Sequence, residues 1–291
     1  MKKKILVTGA NGQLGSEIRN LAPGYSSFEF RFIDIEDLDI TQDREVFCFF
    51  AHYPADYVIN AAAYTAVDKA EQEPEVAQLV NAVAPEIIVR AAQEMNPEAK
   101  IFHISTDYVF DGQHYKPYLE TDTTNPQGVY GKTKRNGELA IQNNEAVIII
   151  RTSWLYSSFG HNFVKTVLRL EKEKEFLTIV SDQIGSPTYA GDLAKTLLDI
   201  IQKTEQTGEF YPGIYHYSNE GVASWYDFAK EILDIKNSIK KIIPISTEEY
   251  PTPARRPYYS VLSKKKIKTV WNIEIPHWKD SLKNCLKKIE I

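Results

Sequence analysis

The sequence places a tyrosine and a lysine one helical turn apart, a spacing suited to proton transfer. Tyr130 and Lys134 are four residues apart in a segment that predicts a helix, so both side chains share one face. A free phenol has a pKa of about 10 and is a weak acid near neutrality. Because a nearby ammonium favours the phenolate, we expect Lys134 to lower the pKa of Tyr130 toward about 7–8. Tyr130 would then serve a carbonyl substrate as acid and base.

The same spacing occurs a second time, at Tyr226 and Lys230, so it does not identify a site by itself. The first pair is distinguished by Ser105 and Thr106, which follow a predicted strand over 100–104. A hydroxyl at the end of that strand would meet the carbonyl oxygen that the phenol protonates. We therefore interpret Tyr226 as a structural aromatic. The candidate catalytic residues are Thr106, Tyr130 and Lys134.

A glycine-rich turn near the start of the chain predicts a dinucleotide site. Gly9, Gly12 and Gly15 lie between an apolar strand over 5–7 and a helix over 13–21. The first glycine makes the tight turn, the second lets the backbone approach a pyrophosphate, and the third lets the helix pack on the strand. The free N–H groups and dipole of the helix then face the anion. The spacing G-x-x-G-x-x-G differs from the commoner G-x-G-x-x-G.

Acidic and small residues follow this turn at positions suited to the rest of a dinucleotide. Asp34 lies about twenty residues past the turn, where a carboxylate accepts hydrogen bonds from the adenosine ribose. The acidic stretch 34–37 would repel the 2′-phosphate of NADP, so we expect NADH to serve at least as well as NADPH. In the alternative interpretation, Asp34 only caps a turn. Asp39 and Ile40 would reach the adenine edge. The candidate cofactor-binding residues are Gly9, Gly12, Gln13, Leu14, Gly15, Asp34, Asp39, Ile40, Ala62, Ala63, Tyr64, Tyr130 and Lys134.

The composition excludes several classes of protein. With 43% hydrophobic and 25% charged residues among 291, the chain is typical of globular proteins rather than disordered ones. A formal net charge of −5 argues against a nucleic-acid partner. Cys48 and Cys285 are far apart in sequence, as in proteins of a reducing compartment. No apolar run suggests a signal peptide or a membrane span, so we expect a cytoplasmic protein without a membrane partner.

The elements that must position these residues alternate between strand and helix. Alternation of this kind predicts an α/β fold, a Rossmann-type doubly wound parallel sheet, with a smaller C-terminal substrate-binding lobe. We expect the NAD(P)-binding domain over 1–155 and the lobe mainly over 156–291, with part of 176–217 returning to the sheet. The predicted strands are 5–7, 28–33, 56–60, 100–104 and 147–151, and the predicted helices are 13–21, 74–95, 130–141, 162–175, 191–202, 224–233 and 278–288.

Together these patterns resemble the extended short-chain dehydrogenase/reductase superfamily, and within it the dTDP-4-dehydrorhamnose reductases. The closer similarity lies in the runs 60–71, 105–110, 151–154 and 252–257. The resemblance implies an oxidoreductase that reduces the C4 ketone of dTDP-4-dehydro-L-rhamnose with NADH or NADPH, in the synthesis of a cell-surface polysaccharide precursor. It also implies roles for individual residues. Tyr130 and Lys134 would be the catalytic pair, Thr106 would polarise the ketone, and Thr106, Asp107 and Trp154 would contact the nucleotide-sugar substrate.

Arg255 and Arg256 are candidates for binding the diphosphate of such a substrate. A chain with net negative charge needs a local cationic site for a dianionic ligand, and guanidinium groups bind phosphate oxygens in pairs. Pro253 and Pro257 limit the freedom of the loop, which reduces the entropy lost on binding. The alternative is that one or both arginines form salt bridges that anchor the C-terminal lobe.

Some members of the resembled family hold Mg²⁺ at the interface of a homodimer. Glu17 matches one of the carboxylates that bind this ion, whereas Gly191 stands where another ligand is carried and has no side chain. This departure from the family pattern puts the Mg²⁺-bridged homodimer in doubt for this chain. His103 lies within a predicted strand, where we interpret it as a core residue rather than a metal ligand.

Three other functions are compatible with this fold. A nucleotide-sugar dehydratase of the superfamily carries a glutamate base after Thr-Asp, but the third residue here is Tyr108, which disfavours dehydration. An epimerase would recycle its hydride and would not consume free NADH. A third alternative is a non-catalytic NADP-binding protein like the regulatory subunit of methionine adenosyltransferase. The intact Thr106, Tyr130 and Lys134 argue against lost catalysis.

Overall fold

The computed structural model describes residues 2–289, so the last two residues of the predicted C-terminal lobe lie outside it. Its strands are β1 (Lys3–Thr8), β2 (Phe28–Ile33), β3 (Tyr57–Asn60), β4 (Lys100–Thr106), β5 (Val147–Thr152), β6 (Leu155–Tyr156), β7 (Phe176–Val180), β8 (Ile184–Gly185), β9 (Thr188–Tyr189), β10 (Gly213–Tyr217), β11 (Ala223–Ser224) and β12 (Lys241–Ile245). Its α-helices are α1 (Gln13–Leu21), α2 (Asp43–His52), α3 (Val67–Ala70), α4 (Pro74–Gln78), α5 (Ala84–Met95), α6 (Val129–Ile141), α7 (Phe163–Glu173), α8 (Ala190–Thr207), α9 (Trp225–Ile235), α10 (Lys265–Trp271) and α11 (Trp278–Lys288).

A six-stranded parallel sheet forms the centre of the molecule, in the order β10-β5-β4-β3-β1-β2. Alternate residues of each strand face opposite sides, so Ile5 and Val7 lie in one buried cluster and Leu6 in the other. The first cluster includes α1 and α8, and the second includes α2 and α5. The prediction of a doubly wound parallel sheet is confirmed. The chain reverses direction across the sheet between β1 and β3, the place where such folds bind ligands.

Several elements differ from the predicted ones in ways that matter for the site. Helices α1 and α11 have the predicted bounds, whereas the helix predicted over 74–95 contains a π-helical turn at Leu79–Val83. Strand β4 continues to Thr106, so the candidate hydroxyls end the strand rather than follow it. Helix α2 was not predicted, because its phenylalanines, valine and cysteine have low helix propensity and it forms by packing on the sheet.

A second cluster of elements forms the smaller lobe. Helices α7, α9 and α11 bury Val167, Phe228 and Leu282 against the parallel pair of β7 and β12. Strands β8 and β11 form a short antiparallel ladder. Helix α9 begins with Ser224 as its N-cap, as predicted, in a capping box with Asp227. Over residues 2–289, no helix is both long and apolar enough to cross a bilayer.

Candidate active site

The glycine turn is tightly packed, which explains why glycine is needed there. Gly9 has a φ of +65°, and a Cβ atom on it would lie 2.7 Å from the backbone nitrogen of Ala62 at the end of β3. A Cβ atom on Gly15 would lie 2.4 Å from the carbonyl oxygen of Gly9, so α1 packs directly on the turn. Gly12 caps α1 without a side chain, which leaves the first N–H groups of the helix open to an anion.

Two aspartates beyond the turn stabilise the loops that carry them. The carboxylate of Asp34 accepts hydrogen bonds from the backbone N–H groups of Asn11 at 2.7 Å and Ile35 at 2.9 Å. It therefore links the glycine turn to the end of β2, as the turn-capping alternative states, while it also lines the cleft. Asp39 accepts from the hydroxyl of Thr41 at 2.7 Å, and this bond lowers the pKa of its carboxyl.

One cleft of about 720 Å³ runs from the glycine turn to the predicted catalytic residues. It lies at the carboxyl ends of the parallel strands, as expected for this fold. The predicted site residues that line it are Gly9, Gly12, Gln13, Leu14, Asp34, Asp39, Ile40, Ala62, Ala63, Thr106, Asp107, Tyr130, Lys134 and Trp154. Several other residues that line the cleft were not identified from the sequence. They lie at strand ends and in loops that come together only in the folded chain. Examples are Tyr108, Ser153 and His161.

Gly15, Tyr64 and the two arginines lie outside the lining of this cleft. Gly15 acts through packing, as described above. The Tyr64 hydroxyl donates to Glu73 at 2.6 Å, which turns this side chain toward α4. Tyr64 therefore supports the loop after β3 from outside the cleft.

Arg256 forms a salt bridge in the ligand-free protein. Its guanidinium donates to the Asp68 carboxylate at 2.6 Å, and the same carboxylate accepts the backbone N–H of Ala254. Arg255 is exposed, and both arginines border a small cavity that also contacts Tyr108. The two arginines thus have different surroundings. Arg256 anchors its loop, whereas Arg255 is exposed beside the cleft.

Tyr130, Thr106 and Asp107 meet at the end of β4. The hydroxyl of Thr106 donates to Asp107 at 3.0 Å and is also close enough to Tyr130 to favour its phenolate. Removal from bulk water raises the pKa of Tyr130 to about 12, and burial raises that of Asp107 to about 6. The ring of Tyr108 packs edge-on against that of Tyr130, with centroids 5.5 Å apart. Tyr130 therefore keeps its proton at neutral pH and is ready to donate it.

Lys134 is fully buried beneath this group, and its position corrects one expectation. Its ammonium donates to the carbonyl oxygen of Ile104 at 2.6 Å instead of to the phenol. Burial lowers the pKa of Lys134 to about 8, although the charge of Glu138 opposes that shift. The expected lowering of the Tyr130 pKa is thus wrong, because loss of hydration on burial is the largest effect on the phenol and raises its pKa.

A buried ion pair behind the catalytic helix was not identified from the sequence. Arg151 on β5 donates twice to Glu138 on α6, at 2.8 and 2.7 Å, and both side chains are almost fully buried. The Ser105 hydroxyl also donates to Glu138, at 2.6 Å, so it is engaged by the buried pair, although Ser105 lines the cleft together with Thr106. The available signal was the position of Glu138, one turn after Lys134 on the same face.

His103 belongs to a second buried polar chain. Thr8 donates to the amide oxygen of Asn60 at 2.7 Å, and the Asn60 amide lies 3.1 Å from a ring nitrogen of His103. Burial, together with the nearby charge of Lys134, holds the pKa of His103 well below its usual range. This histidine is therefore neutral and connects the middle of β4 to the ends of β1 and β3 beneath the cleft.

The surroundings of Glu17 do not fit Mg²⁺. This carboxylate is 1% exposed, accepts a hydrogen bond from Ser157 at 2.7 Å, and has the ammonium of Lys288 at 3.8 Å. A Cβ atom on Gly191 would lie 2.5 Å from the ring of Tyr189, so that ring fills the space of a residue-191 side chain. Mg²⁺ requires an octahedral set of oxygen ligands, whereas an ammonium is the cation nearest to Glu17 here.

Comparison with known proteins agrees with the geometry. The model of the family described as the RmlD substrate binding domain matches residues 2–291. The chain is 41% identical to a dTDP-4-dehydrorhamnose reductase of Aggregatibacter actinomycetemcomitans, over 97% of each chain. It superposes on a crystal structure of a dTDP-4-dehydrorhamnose reductase of Clostridium acetobutylicum with a TM-score of 0.93 and 42% identity, over 99% of this chain and 100% of that chain.

A further solved structure contains a bound cofactor. The dTDP-4-dehydrorhamnose reductase of Bacillus anthracis, in complex with NADP, matches with a TM-score of 0.91 and 38% identity, over 99% of this chain and 100% of that chain. Fold, cleft and sequence therefore agree over almost the whole length. The chain belongs to the RmlD substrate binding domain family, and its relatives there include these dTDP-4-dehydrorhamnose reductases.

Proposed function

We propose that this protein reduces the C4 ketone of dTDP-4-dehydro-L-rhamnose to give dTDP-L-rhamnose, with NADPH or NADH as reductant. One observation carries the proposal: a single cleft joins the glycine turn to Thr106, Tyr130 and Lys134. A dinucleotide bound at the turn would therefore share its cleft with the groups that activate a carbonyl. The names of the relatives above support the choice of substrate.

The cofactor would be held by the glycine turn and the residues beyond it. The open N–H groups of α1 would bind the pyrophosphate, Asp34 would face the ribose, and Ala62 would allow close approach. Bound NAD(P)H supplies a hydride to the carbonyl carbon. Because the Asp34 carboxylate lines the cleft, where it would meet the adenosine ribose, we retain the prediction that NADH serves at least as well as NADPH.

The protein's own residues would handle the oxygen of the ketone. Thr106 can rotate its hydroxyl from Asp107 to the ketone oxygen and so stabilise the charge that develops there. Tyr130, which keeps its proton at neutral pH, would donate that proton to the oxygen. The ammonium of Lys134, buried below, would stabilise the phenolate left behind. Asp107 would accept a hydrogen bond from a sugar hydroxyl.

The other activities of the fold find no support in this cleft. A dehydratase needs a carboxylate base, but Tyr108 occupies the third position of its motif and packs against Tyr130. A regulatory subunit needs no aligned proton donor, whereas Thr106, Tyr130 and Lys134 all line one cleft. We therefore favour reduction over dehydration and over a non-catalytic regulatory role.

The test is the loss of NADPH or NADH absorbance when dTDP-4-dehydro-L-rhamnose is added, with UDP- and GDP-linked keto-sugars as comparisons. We expect turnover with the dTDP-sugar and stoichiometric loss of the reduced cofactor. Tyr130→Phe should lower kcat by roughly 10²–10⁴-fold with unchanged cofactor affinity, the range for a lost general acid. Near-normal turnover of Tyr130→Phe, or conversion without cofactor loss, would overturn the proposal.

The proposal also includes the compartment, the ligand and the oligomeric state of the protein. We place it in the cytoplasm, as the two free cysteines indicate, with a nucleotide sugar as ligand. We also infer a homodimer from the family resemblance, without the Mg²⁺ bridge that the Glu17 site does not fit. Sedimentation velocity with and without EDTA tests both parts, since a monomer would exclude the dimer and an EDTA-dependent dimer would restore the metal.

A further inference from the structure

Trp154 has an unusual backbone conformation in the wall of the cleft. Its φ is 48°, in the left-handed region. Within residues 2–289, the other non-glycine residues with positive φ are Asn237 and Asn272, and asparagine tolerates this region far better than a bulky side chain. Such a conformation persists only where the surroundings enforce it, and it is most common at functional sites. The residues around Trp154 must therefore hold its backbone in this conformation.

Three contacts hold Trp154 in this conformation. Its indole stacks on that of Trp225 with ring centroids 3.6 Å apart and planes 7° from parallel. Gly185 lies so close that a Cβ atom there would be 2.6 Å from the indole. The carbonyl oxygen of Trp154 accepts the backbone N–H of Thr188 at 3.1 Å.

Trp225 is in turn fixed by the smaller lobe. It is the first residue of α9, directly after the Ser224 N-cap, and the ladder of β8 and β11 joins Ser224 to the strand that ends at Gly185. The Trp225 indole N–H donates to the side chain of Gln183 at 3.2 Å, and Gln183 donates to Thr247 at 3.1 Å. Trp225 is absent from the lining of the cleft, whereas Trp154 lines it.

We propose that Trp225 is a positioning residue, which acts through Trp154 to shape the part of the cleft that receives the sugar. The inference rests on the proposed function. Trp154 lines the same cleft as Tyr130 and Thr106, and the flat face or edge of an indole suits the C–H surface of a pyranose. Without the stack, the strained backbone at Trp154 relaxes and the indole leaves its place. The sugar then loses a contact, while the dinucleotide site at the glycine turn is unaffected.

The experiment combines kinetics with circular dichroism, since closely stacked indoles give an exciton couplet in the far ultraviolet. Trp225→Leu should abolish the couplet and raise KM for the keto-sugar about tenfold, the upper range for one aromatic stack. The Kd for NADPH should not change. Trp225→Phe keeps a ring on Trp154 and should retain a KM close to that of the wild type while it loses the couplet.

A matched control removes a tryptophan of the same lobe that does not touch Trp154. Trp278 packs edge-on against Phe228 at 5.7 Å and does not line the cleft, so Trp278→Phe should keep both the couplet and KM. If Trp225→Leu does not fold, Gln183→Leu replaces it. Loss of the Gln183 hydrogen bond frees Trp225, so the couplet should weaken and KM should rise about threefold.

The possible outcomes distinguish the role of Trp225 from the proposed function of the protein. An unchanged KM in folded Trp225→Leu, or in Gln183→Leu with a weakened couplet, overturns the role of Trp225, as does a tenfold rise in the Kd for NADPH in either variant. A wild type that does not reduce the keto-sugar overturns the proposed function. In that case, calorimetry with dTDP-L-rhamnose tests Trp225 independently: weaker binding by Trp225→Leu supports its role, and equal or absent binding in both proteins contradicts it.

Discussion

At the scale of the residue, burial rather than sequence spacing sets the proton chemistry of the site. Tyr130 and Lys134 share a helix face, as their spacing predicts, but the ammonium bonds to the carbonyl oxygen of Ile104. Burial raises the pKa of the phenol to about 12, so it keeps its proton, and burial lowers the pKa of Lys134 to about 8. Tyr130 is therefore a protonated donor at neutral pH, and Lys134 is the group that titrates near physiological pH.

These titrations predict a bell-shaped pH profile for kcat/KM. Below a pH of about 6, Asp107 gains a proton and loses the charge that would bind a sugar hydroxyl. Above a pH of about 8, Lys134 loses the positive charge that would stabilise the phenolate. Activity should therefore fall on both sides. Steady-state kinetics from about pH 5 to 9.5 measure both limbs. Asp107→Asn should lose the acid limb and keep the alkaline one, and an acid limb unchanged in that variant would contradict the assignment.

The two neighbouring arginines should respond differently to truncation. Arg256→Ala breaks the bond to Asp68 and should lower stability by about 1 kcal/mol, since this pair is partly exposed. Asp68→Ala should have a similar effect. Arg255→Ala should leave the melting temperature unchanged and raise KM for the dTDP-sugar, as a diphosphate ligand would require. A normal KM in Arg255→Ala, with a raised KM in Arg256→Ala, would reverse these roles.

At the scale of the element, the contact between α1 and the glycine turn is the most demanding in the cofactor site. Gly15→Ala would place a Cβ atom 2.4 Å from the Gly9 carbonyl oxygen, and backbone must move to accept it. We expect a loss of about 2 kcal/mol in stability and weaker NADPH binding. Thermal unfolding and fluorescence titration measure the two. Gly24→Ala is the matched control, because nothing lies within 4 Å of a Cβ atom there. Equal behaviour of the two variants would show that the packing of α1 is not limiting.

The junction of α1, β9 and α11 carries a different prediction, on metal dependence. Lys288 places its ammonium 3.8 Å from the buried Glu17 carboxylate and donates to the Tyr189 hydroxyl at 2.8 Å. Neither EDTA nor added Mg²⁺ should therefore change the melting temperature or kcat. Lys288→Met should lower the melting temperature, since Glu17 then keeps a buried charge without a nearby cation. A melting temperature that rises with Mg²⁺ in the wild type would mean that the ion displaces Lys288.

At the scale of the whole molecule, local features were predictable and long-range ones were not. Helix α1, strand β2 and the N-cap at Ser224 follow from patterns within a few residues, and the structure agrees. The cleft was predicted because parallel strands bring their ends to one edge of the sheet. The pKa of Tyr130, the buried pair of Arg151 and Glu138, and the stack on Trp154 depend on residues distant in sequence, and no local pattern encodes them.

The sheet's last strand has a consequence for how the protein is made. Strand β10 pairs with β5 only after the chain has passed through the first elements of the smaller lobe, and α8, just before it, packs against α1. A ribosome that has released residues 1–155 has thus produced a nucleotide-binding half with an open sheet edge and an uncovered apolar face. We predict that the fragment 1–155 shows no cooperative thermal transition, whereas 1–217 gains one. Cooperative unfolding of 1–155 would mean that this half completes its fold before the smaller lobe is synthesised.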